Sequence, residues 1–257
     1  MPAVSIWANA DLARAYADVR SDLSDSVRAI WVDAFRSAVP PIPLRRVLDV
    51  GCGTGRFTTL LAEIFGSLTI GVDGSPAMLR ERVRPAPLPV AFVGAEATAL
   101  PLRAAAIDLA LLSMVYHLLA TAGVAAAAVG ELHRVVRQGG WVLVRTPTLE
   151  LLDHIAWLPF FPGARALDEA RLPPRGHVVA SFEHAGFATH AHRAIEQEFA
   201  STPLEAFEKV RRRPFSTLRL LPDGAFDEGL ARYEAHCRMA PPTPLIDTLD
   251  LFVFQRR

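Results

Sequence analysis

The chain has little lysine and little cysteine. Its single lysine is Lys209, and its two cysteines, Cys52 and Cys237, lie far apart in 257 residues. A Walker-type loop needs a lysine beside its glycines, so a P-loop nucleotidase is excluded. The two cysteines have neither the spacing of a disulfide framework nor that of a zinc site, and no HExxH motif occurs. We therefore expect no bound metal and a reducing, cytoplasmic location.

An excess of either charge is also missing. Lysine and arginine total 27, aspartate and glutamate total 27, and the sequence pI is about 7.1. Such a balance gives no electrostatic footprint for nucleic acid or for an anionic membrane surface. The first residues do not have the pattern of a basic, apolar signal sequence. We expect a small-molecule partner, no nucleic acid, no membrane, and a monomer or homodimer.

The longest apolar region is interrupted by polar residues. It runs from Ala104 to Val129 and contains Asp108, Ser113, His117 and Thr121. The pattern splits into a strand-like run and an alanine-rich helix, so we interpret it as buried core rather than a transmembrane helix. With 51% hydrophobic and 21% charged residues, the chain fits one α/β domain with room for an insertion.

A glycine-rich turn organises the rest of the sequence. An apolar run, Val47 to Val50, meets glycines at positions 51, 53 and 55, and apolar residues at helical spacing follow. This order predicts a strand, a tight loop and a helix. Glycines let a ligand approach the backbone, and the N–H groups at a helix start favour an anion. The dinucleotide fingerprint would place its third glycine where Arg56 stands. This weakens the case for a nicotinamide-dinucleotide site but does not exclude it.

A second strand, Leu68–Asp73, ends in an acid 22 positions beyond Gly51. The two oxygens of one carboxylate can accept both hydroxyls of a ribose, as open α/β folds require. Ser75 followed by Pro76 predicts a capped helix start. A third strand, Val90–Gly94, leads to Glu96.

Two further strands complete the first half. Ile107–Ser113 is apolar on both faces, which is typical of a buried parallel strand. A helix from about Val124 to Val136 is expected to end at a C-cap formed by Gly139 and Gly140, before a fifth strand over Trp141–Thr146.

The joint pattern resembles the class I S-adenosylmethionine-dependent methyltransferases, in particular the ubiquinone/menaquinone-biosynthesis-like group, over roughly residues 45 to 146. The resemblance rests on acid-x-Gly-x-Gly-x-Gly from Asp49, on GVDGSPAML, on AEATALPL with Glu where the family usually has Asp, on DLALLSMVYH and on LHRVVRQGG. It implies an α/β fold, a three-layer Rossmann-like doubly wound sheet of seven strands. Their implied order is 3-2-1-4-5-7-6 with strand seven antiparallel.

The resemblance also implies a set of cofactor-binding residues for S-adenosyl-L-methionine. Asp73 would bind the ribose, Met78 would lie beside adenine, Glu96 would meet the adenine amino group, and Tyr16 and Arg20 would cap the methionine carboxylate. The whole implied set is Tyr16, Arg20, Asp49, Gly51, Cys52, Gly53, Asp73, Gly74, Met78, Glu96, Ala97, Ser113 and Met114.

His117 is the first candidate for a catalytic base or acceptor-orienting group, because a histidine pKa suits proton removal near neutrality. Weaker candidates are Tyr116, Glu150, His154, Tyr233 and His236. The remaining histidines of the second half are interpreted as surface residues: His177, His184, His190 and His192.

The second half departs from the short family pattern. Strand six is expected over residues 188–199 and strand seven over 247–255, with nearly fifty residues between them. Thr202 and Asp223 are expected to cap helices there. We divide the single domain into an N-terminal helical cap (1–43), a cofactor-binding core (44–147), and acceptor-site or lid segments (148–172 and 200–246).

These features favour methyl transfer from S-adenosylmethionine to O, N or C of a small apolar metabolite. Two alternatives remain open at this point. A cofactor-binding protein of the same fold without methylating activity is possible because fold does not fix function. An NAD(P)-dependent oxidoreductase is the other.

Overall fold

The computed structural model describes residues 23–82 and 88–257. Its seven strands are β1 Arg46–Val50, β2 Leu68–Asp73, β3 Val90–Gly94, β4 Ile107–Ser113, β5 Val136–Thr146, β6 Phe187–Ala200 and β7 Leu245–Arg256. The described helices of the first half are α1 Asp25–Ala38, α2 Arg56–Phe65, α3 Pro76–Arg80, α4 Tyr116–Thr121 and α5 Ala125–Val135. Those of the second half are α6 Ala164–Glu169, α7 Arg175–His184, α8 Pro203–Val210, α9 Ser216–Leu220 and α10 Asp223–Met239. Two 3-10 segments, Leu149–His154 and Leu158–Phe160, follow β5.

The strands form one sheet in the order β3-β2-β1-β4-β5-β7-β6. Strands β1 to β5 pair in parallel, and β7 lies antiparallel between β5 and β6. This confirms the expected topology. The carboxyl ends of the five parallel strands therefore meet at one edge, where ligands bind in open α/β sheets.

Both faces of the sheet are covered, which explains why its central strands are apolar throughout. One core layer joins the sheet to α4, α5 and α7, and the other joins it to α1 and α2. Helix α1 buries one apolar face, which consists of Val27, Trp31, Ala34 and Phe35. The glycine turn is thus held between two packed layers.

The expected C-cap at Gly139 and Gly140 is wrong. Helix α5 ends at Val135, and both glycines lie inside β5, which begins at Val136. Gly139 has φ +69°, and a Cβ on Gly140 would come within 2.8 Å of the Arg137 carbonyl oxygen. The β4–β5 register shifts between Ile107 and Leu109. The two glycines therefore serve an irregularity in a strand, where glycine admits the positive φ and the close backbone contact.

The segments after β5 and after β6 share a hydrophobic core of their own. It includes Leu152, Trp157, Phe161, Leu218 and Tyr233. Thr202 caps α8 by accepting a hydrogen bond from the Glu205 backbone N–H, as expected. Asp223 does not cap α10, because the N-cap is Pro222. Among the described residues, no helix is long and apolar enough to cross a membrane.

Candidate functional site

A cavity of about 510 Å³ lies at the carboxyl ends of the parallel strands. Twelve of the fourteen predicted site residues line it. They are Asp49, Gly51, Cys52, Gly53, Asp73, Gly74, Met78, Glu96, Ala97, Ser113, Met114 and His117. The other two, Tyr16 and Arg20, lie outside the described residues. The fold brings the described set together, and the roles of its members stay predictions.

The glycine turn closes over β2 and leaves space at its centre. The backbone N–H groups of Gly51 and Cys52 donate to the Val72 carbonyl at 2.7 and 3.0 Å. Gly51 has φ +68°, and a Cβ there would lie 2.2 Å from a methyl of Val115. Gly53 has φ +56°, and a Cβ there would meet no atom within 4 Å. The first glycine is thus required by packing, and the second borders open space.

Asp73 holds this turn to the start of α3. Its Oδ2 accepts the Gly53 N–H at 2.7 Å, and its Oδ1 accepts the Ser75 N–H at 2.7 Å. Each oxygen therefore keeps one lone pair for a further donor. Burial raises the pKa of Asp73, and the nearby Glu96 charge raises it further, against those two hydrogen bonds. The carboxylate is preorganised to accept two hydroxyls from the cavity side.

Asp49 lies beneath the turn and is 1% exposed. Its Oδ2 accepts a hydrogen bond of 2.7 Å from the Thr58 hydroxyl. Burial raises the pKa of Asp49 to about 7. The same burial, with the Asp49 and Asp73 charges, raises the pKa of the Cys52 thiol, so this thiol stays protonated and is a poor nucleophile.

An apolar floor and an acid lie beside Asp73. Met78 is 5% exposed and lines the cavity. The Ser75 side chain caps α3 by accepting from the Met78 N–H at 3.2 Å, as its sequence predicts. A Cβ on Gly74 would lie 2.8 Å from Oε1 of Glu96, so glycine is what lets that acid approach. A flat ring with an amino group fits such a pairing of methionine and carboxylate.

His117 lies on α4, lines the same cavity as the glycine turn, and is 6% exposed. Its Nδ1 lies 3.2 Å from the Thr146 hydroxyl at the end of β5. Just before α4, Met114 has φ +59°, a left-handed conformation that non-glycine residues seldom adopt. Such strain is often retained at sites of function. The histidine is therefore buried, oriented and next to a strained turn.

The weaker catalytic candidates do not line this cavity. Tyr116 is fully buried and packs on Phe182, with ring centroids 6.0 Å apart. Glu150 accepts the Arg175 N–H at the start of α7. His154, Tyr233 and His236 are also absent from the lining. The positions of these five residues therefore do not support a catalytic role for them at this cavity.

His192 is exposed, as its strand pattern predicts, and it also pairs with a buried carboxylate. Its Nε2 lies 2.7 Å from Oδ1 of Asp250, which is 0% exposed. Thr148 and Arg175 donate to the other oxygen of Asp250 at 2.5 and 3.0 Å. This buried carboxylate joins β6, β7 and the segment that follows β5.

Sequence reasoning missed a polar cluster on the far wall of the cavity. It consists of Asp168, Arg171, Ser216 and Thr217, and apolar side chains surround it: Leu151, Ile155, Trp157, Leu172 and Phe215. Asp168 and Arg171 are a charged pair at positions i and i+3, in a stretch that also contains Arg165 and Glu169. That spacing was the available signal.

Comparison with known proteins agrees with the geometry. Residues 48–144 match the family described as Methyltransferase domain. An uncharacterized methyltransferase of Mycobacterium bovis is 38% identical over 100 residues, which is 39% of each chain. A demethylmenaquinone methyltransferase of Beutenbergia cavernae is 34% identical over 150 residues, 58% of each chain. The chain thus spans between about two fifths and three fifths of the length of these two curated relatives.

A solved structure extends the similarity beyond the matched core. It is a protein of Anabaena variabilis that is provisionally described as a methyltransferase of an antibiotic biosynthesis pathway. Its TM-score is 0.69 at 17% identity, covering 91% of this chain and 100% of that one, and this likeness concerns the fold. Residues 48–144 thus match a methyltransferase domain, and the glycine turn and the sheet order are those of the class I S-adenosylmethionine-dependent methyltransferase fold.

Proposed function

We propose that the protein transfers a methyl group from S-adenosylmethionine to O, N or C of a small, largely apolar acceptor. The observation that carries this proposal is the continuity of the cavity. A single space of about 510 Å³ joins the glycine turn and Asp73 to the apolar wall of Trp157 and Phe215. Donor and acceptor can therefore meet within one cavity.

The residues present fit the cofactor. Open space at Gly53 leaves room against the backbone, and the two free lone pairs of Asp73 suit the two ribose hydroxyls. Met78 and Glu96 supply a flat apolar contact and an acceptor for an amino group. Ser113 ends β4 and Met114 follows it; both line the cavity and would border the reactive sulfur. When bound, the cofactor supplies an electrophilic methyl group on a good leaving group.

The chain's own contribution is then alignment and exclusion of water. Alignment of two reactants can supply about 7–11 kcal/mol of a barrier. The wall formed by Leu151, Ile155 and Leu172 is apolar, which favours an apolar acceptor and keeps water out. His117 lies in the same cavity, with Nδ1 next to Thr146, and is positioned to orient the acceptor or to take a proton from it.

Thermal unfolding tests the cofactor. S-adenosylmethionine or S-adenosylhomocysteine at about 100 times its dissociation constant should add about 2.7 kcal/mol, which raises the midpoint by roughly 5–11 °C for a chain of this size. NADH should give no shift. Asp73→Ala should abolish the shift, whereas Glu63→Gln, which removes an exposed carboxylate that pairs with Arg28, should retain it. No shift with either adenosyl compound would overturn the proposal.

Transfer of labelled methyl tests the reaction. Apolar metabolites with hydroxyl, amine or activated carbon centres are incubated with labelled cofactor, and the product is extracted and counted. Cofactor binding without transfer to any acceptor would favour the non-methylating role instead, since the fold does not fix the reaction.

A further inference from the structure

A buried arginine on the acceptor wall has hydrogen-bonding capacity that the protein does not use. Arg171 follows α6, lines the cavity, and has a side chain only 9% exposed. In the part of the chain that the structure describes, its Nε and Nη1 are buried and have no hydrogen-bond partner. An arginine is always charged, and leaving its buried donors without acceptors is costly.

The contacts that Arg171 does make hold the guanidinium in place. Nη2 donates to the Ser216 hydroxyl at 2.8 Å, at the start of α9. The backbone carbonyl of Arg171 accepts from Thr121 at 3.1 Å, one turn after His117 on α4. The first contact holds the guanidinium at α9, and the second holds the backbone of Arg171 at α4; both helices contribute residues to the cavity lining.

The neighbouring carboxylate does not satisfy the guanidinium. Oδ1 of Asp168 lies 3.8 Å from Nη1 of Arg171, too far for a hydrogen bond. The same oxygen accepts a 2.5 Å hydrogen bond from Thr217. Burial lowers the pKa of Arg171 and raises that of Asp168, so both charges are held at a cost. An oxygen acceptor supplied from the cavity would satisfy the unpaired donors of Arg171.

The side chains around Arg171 indicate the chemistry of the rest of the ligand. The rings of Trp157 and Phe215 stack with centroids 5.1 Å apart and planes at 17°. Leu151, Ile155 and Leu172 extend the same apolar wall. A ring or alkyl body can pack there while one polar end reaches the guanidinium, which binds carboxylates better than any other side chain does.

We propose that Arg171 is a specificity-determining residue that binds a carboxylate of the methyl acceptor. The acceptor is then an amphipathic acid with an apolar, ring-bearing or alkyl body. This proposal rests on the proposed function, because it assigns one end of the substrate of that site.

The test compares acids with their own amides. Naphthoate, cinnamate and phenylbutyrate are each titrated by calorimetry against the corresponding primary amide, with and without S-adenosylhomocysteine. The full-length wild-type protein should bind at least one acid about tenfold or more tightly than its amide, because a hydrogen bond to a charged group contributes about 1.5–3 kcal/mol. Equal affinity for each pair, or no binding of any acid, would overturn the proposal.

Variants test whether the preference for acids over amides depends on Arg171. Arg171→Gln should equalise acid and amide, and Arg171→Lys should keep part of the preference through its charge. The matched control is Arg165→Gln on α6, which removes an exposed guanidinium that pairs with Asp153 and Glu169. It should leave the preference unchanged. A preference that persists in Arg171→Gln contradicts the assignment, and Arg171→Lys decides the matter if Arg171→Gln does not fold.

S-adenosylhomocysteine binding, measured on the same samples, separates the two proposals. Loss of acid preference in Arg171→Gln with unchanged S-adenosylhomocysteine affinity supports both. If the protein prefers acids to amides but binds no adenosyl ligand, the methyltransferase proposal is contradicted and the carboxylate-binding site is retained.

Discussion

The Thr58 hydroxyl donates a 2.7 Å hydrogen bond to Asp49, directly beneath the glycine turn. Burial raises the pKa of Asp49 from 3.8 to about 7 in spite of this bond. Between these two values the folded protein keeps a proton that the unfolded chain has lost. The free energy of unfolding should therefore fall as pH rises from about 4 to 7 and then level off.

Urea unfolding at several pH values checks this effect. Asp49→Asn should remove a few kcal/mol of the pH dependence, since each unit of pKa shift corresponds to about 1.4 kcal/mol. Asp33→Asn, which changes an exposed acid, should keep the wild-type profile. Identical slopes in wild type and Asp49→Asn would show that Asp49 titrates normally.

Two glycines of the turn should respond differently to alanine. Gly51→Ala adds a methyl 2.2 Å from Val115 at φ +68°, so it should cost about 2–5 kcal/mol from the clash and the left-handed strain together. Gly53→Ala, at φ +56° with open space, should cost only about 1–2 kcal/mol. Urea midpoints measure both.

A second substitution separates clash from strain. Val115→Ala in the Gly51→Ala background should recover the clash part alone. Gly53→Ala should instead weaken S-adenosylhomocysteine binding by about tenfold, since Gly53 lines the cavity and the added methyl would take up open space beside it. Unchanged ligand affinity in Gly53→Ala would place the ligand elsewhere.

His117→Gln should lower kcat by about 10²–10⁴ if this histidine transfers a proton. S-adenosylhomocysteine affinity should stay within about twofold, since the change leaves the glycine turn intact. The pH–rate profile should lose its acid limb. A kcat within a few fold of wild type would reduce His117 to a packing residue beside Thr146.

Asp250→Ala should destabilise the fold strongly, because Arg175 and His192 would lose their buried acceptor. Breaking a buried ion pair costs about 3–5 kcal/mol. The thermal midpoint should fall by on the order of ten degrees. Asp153→Asn, at a carboxylate whose side chain is 84% exposed, should change it little. Equal midpoints for the two variants would contradict the anchoring role of Asp250.

Local sequence predicted most of the cofactor half. The strands Leu68–Asp73, Val90–Gly94 and Ile107–Ser113 begin and end where their apolar patterns indicate. Helix α3 starts where Ser75 and Pro76 predict. Such features depend on residues adjacent in the chain, which makes them readable without a structure. The predicted C-cap at Gly139 and Gly140 was wrong because the conformation of these glycines depends on the pairing of β5 with β4, which is a nonlocal contact.

The sequence by itself determined the glycine turn, the acid at the end of β2 and the resemblance to the methyltransferases, because each depends on short spacings within the chain. Only the tertiary structure decided which residues of the second half of the chain contribute to the cavity and to the buried polar contacts. Arg171 and Ser216 meet across 45 positions, and Thr148 and Asp250 meet across 102. No local pattern encodes such meetings, because they arise when separate segments pack over one sheet edge and bury their polar groups together.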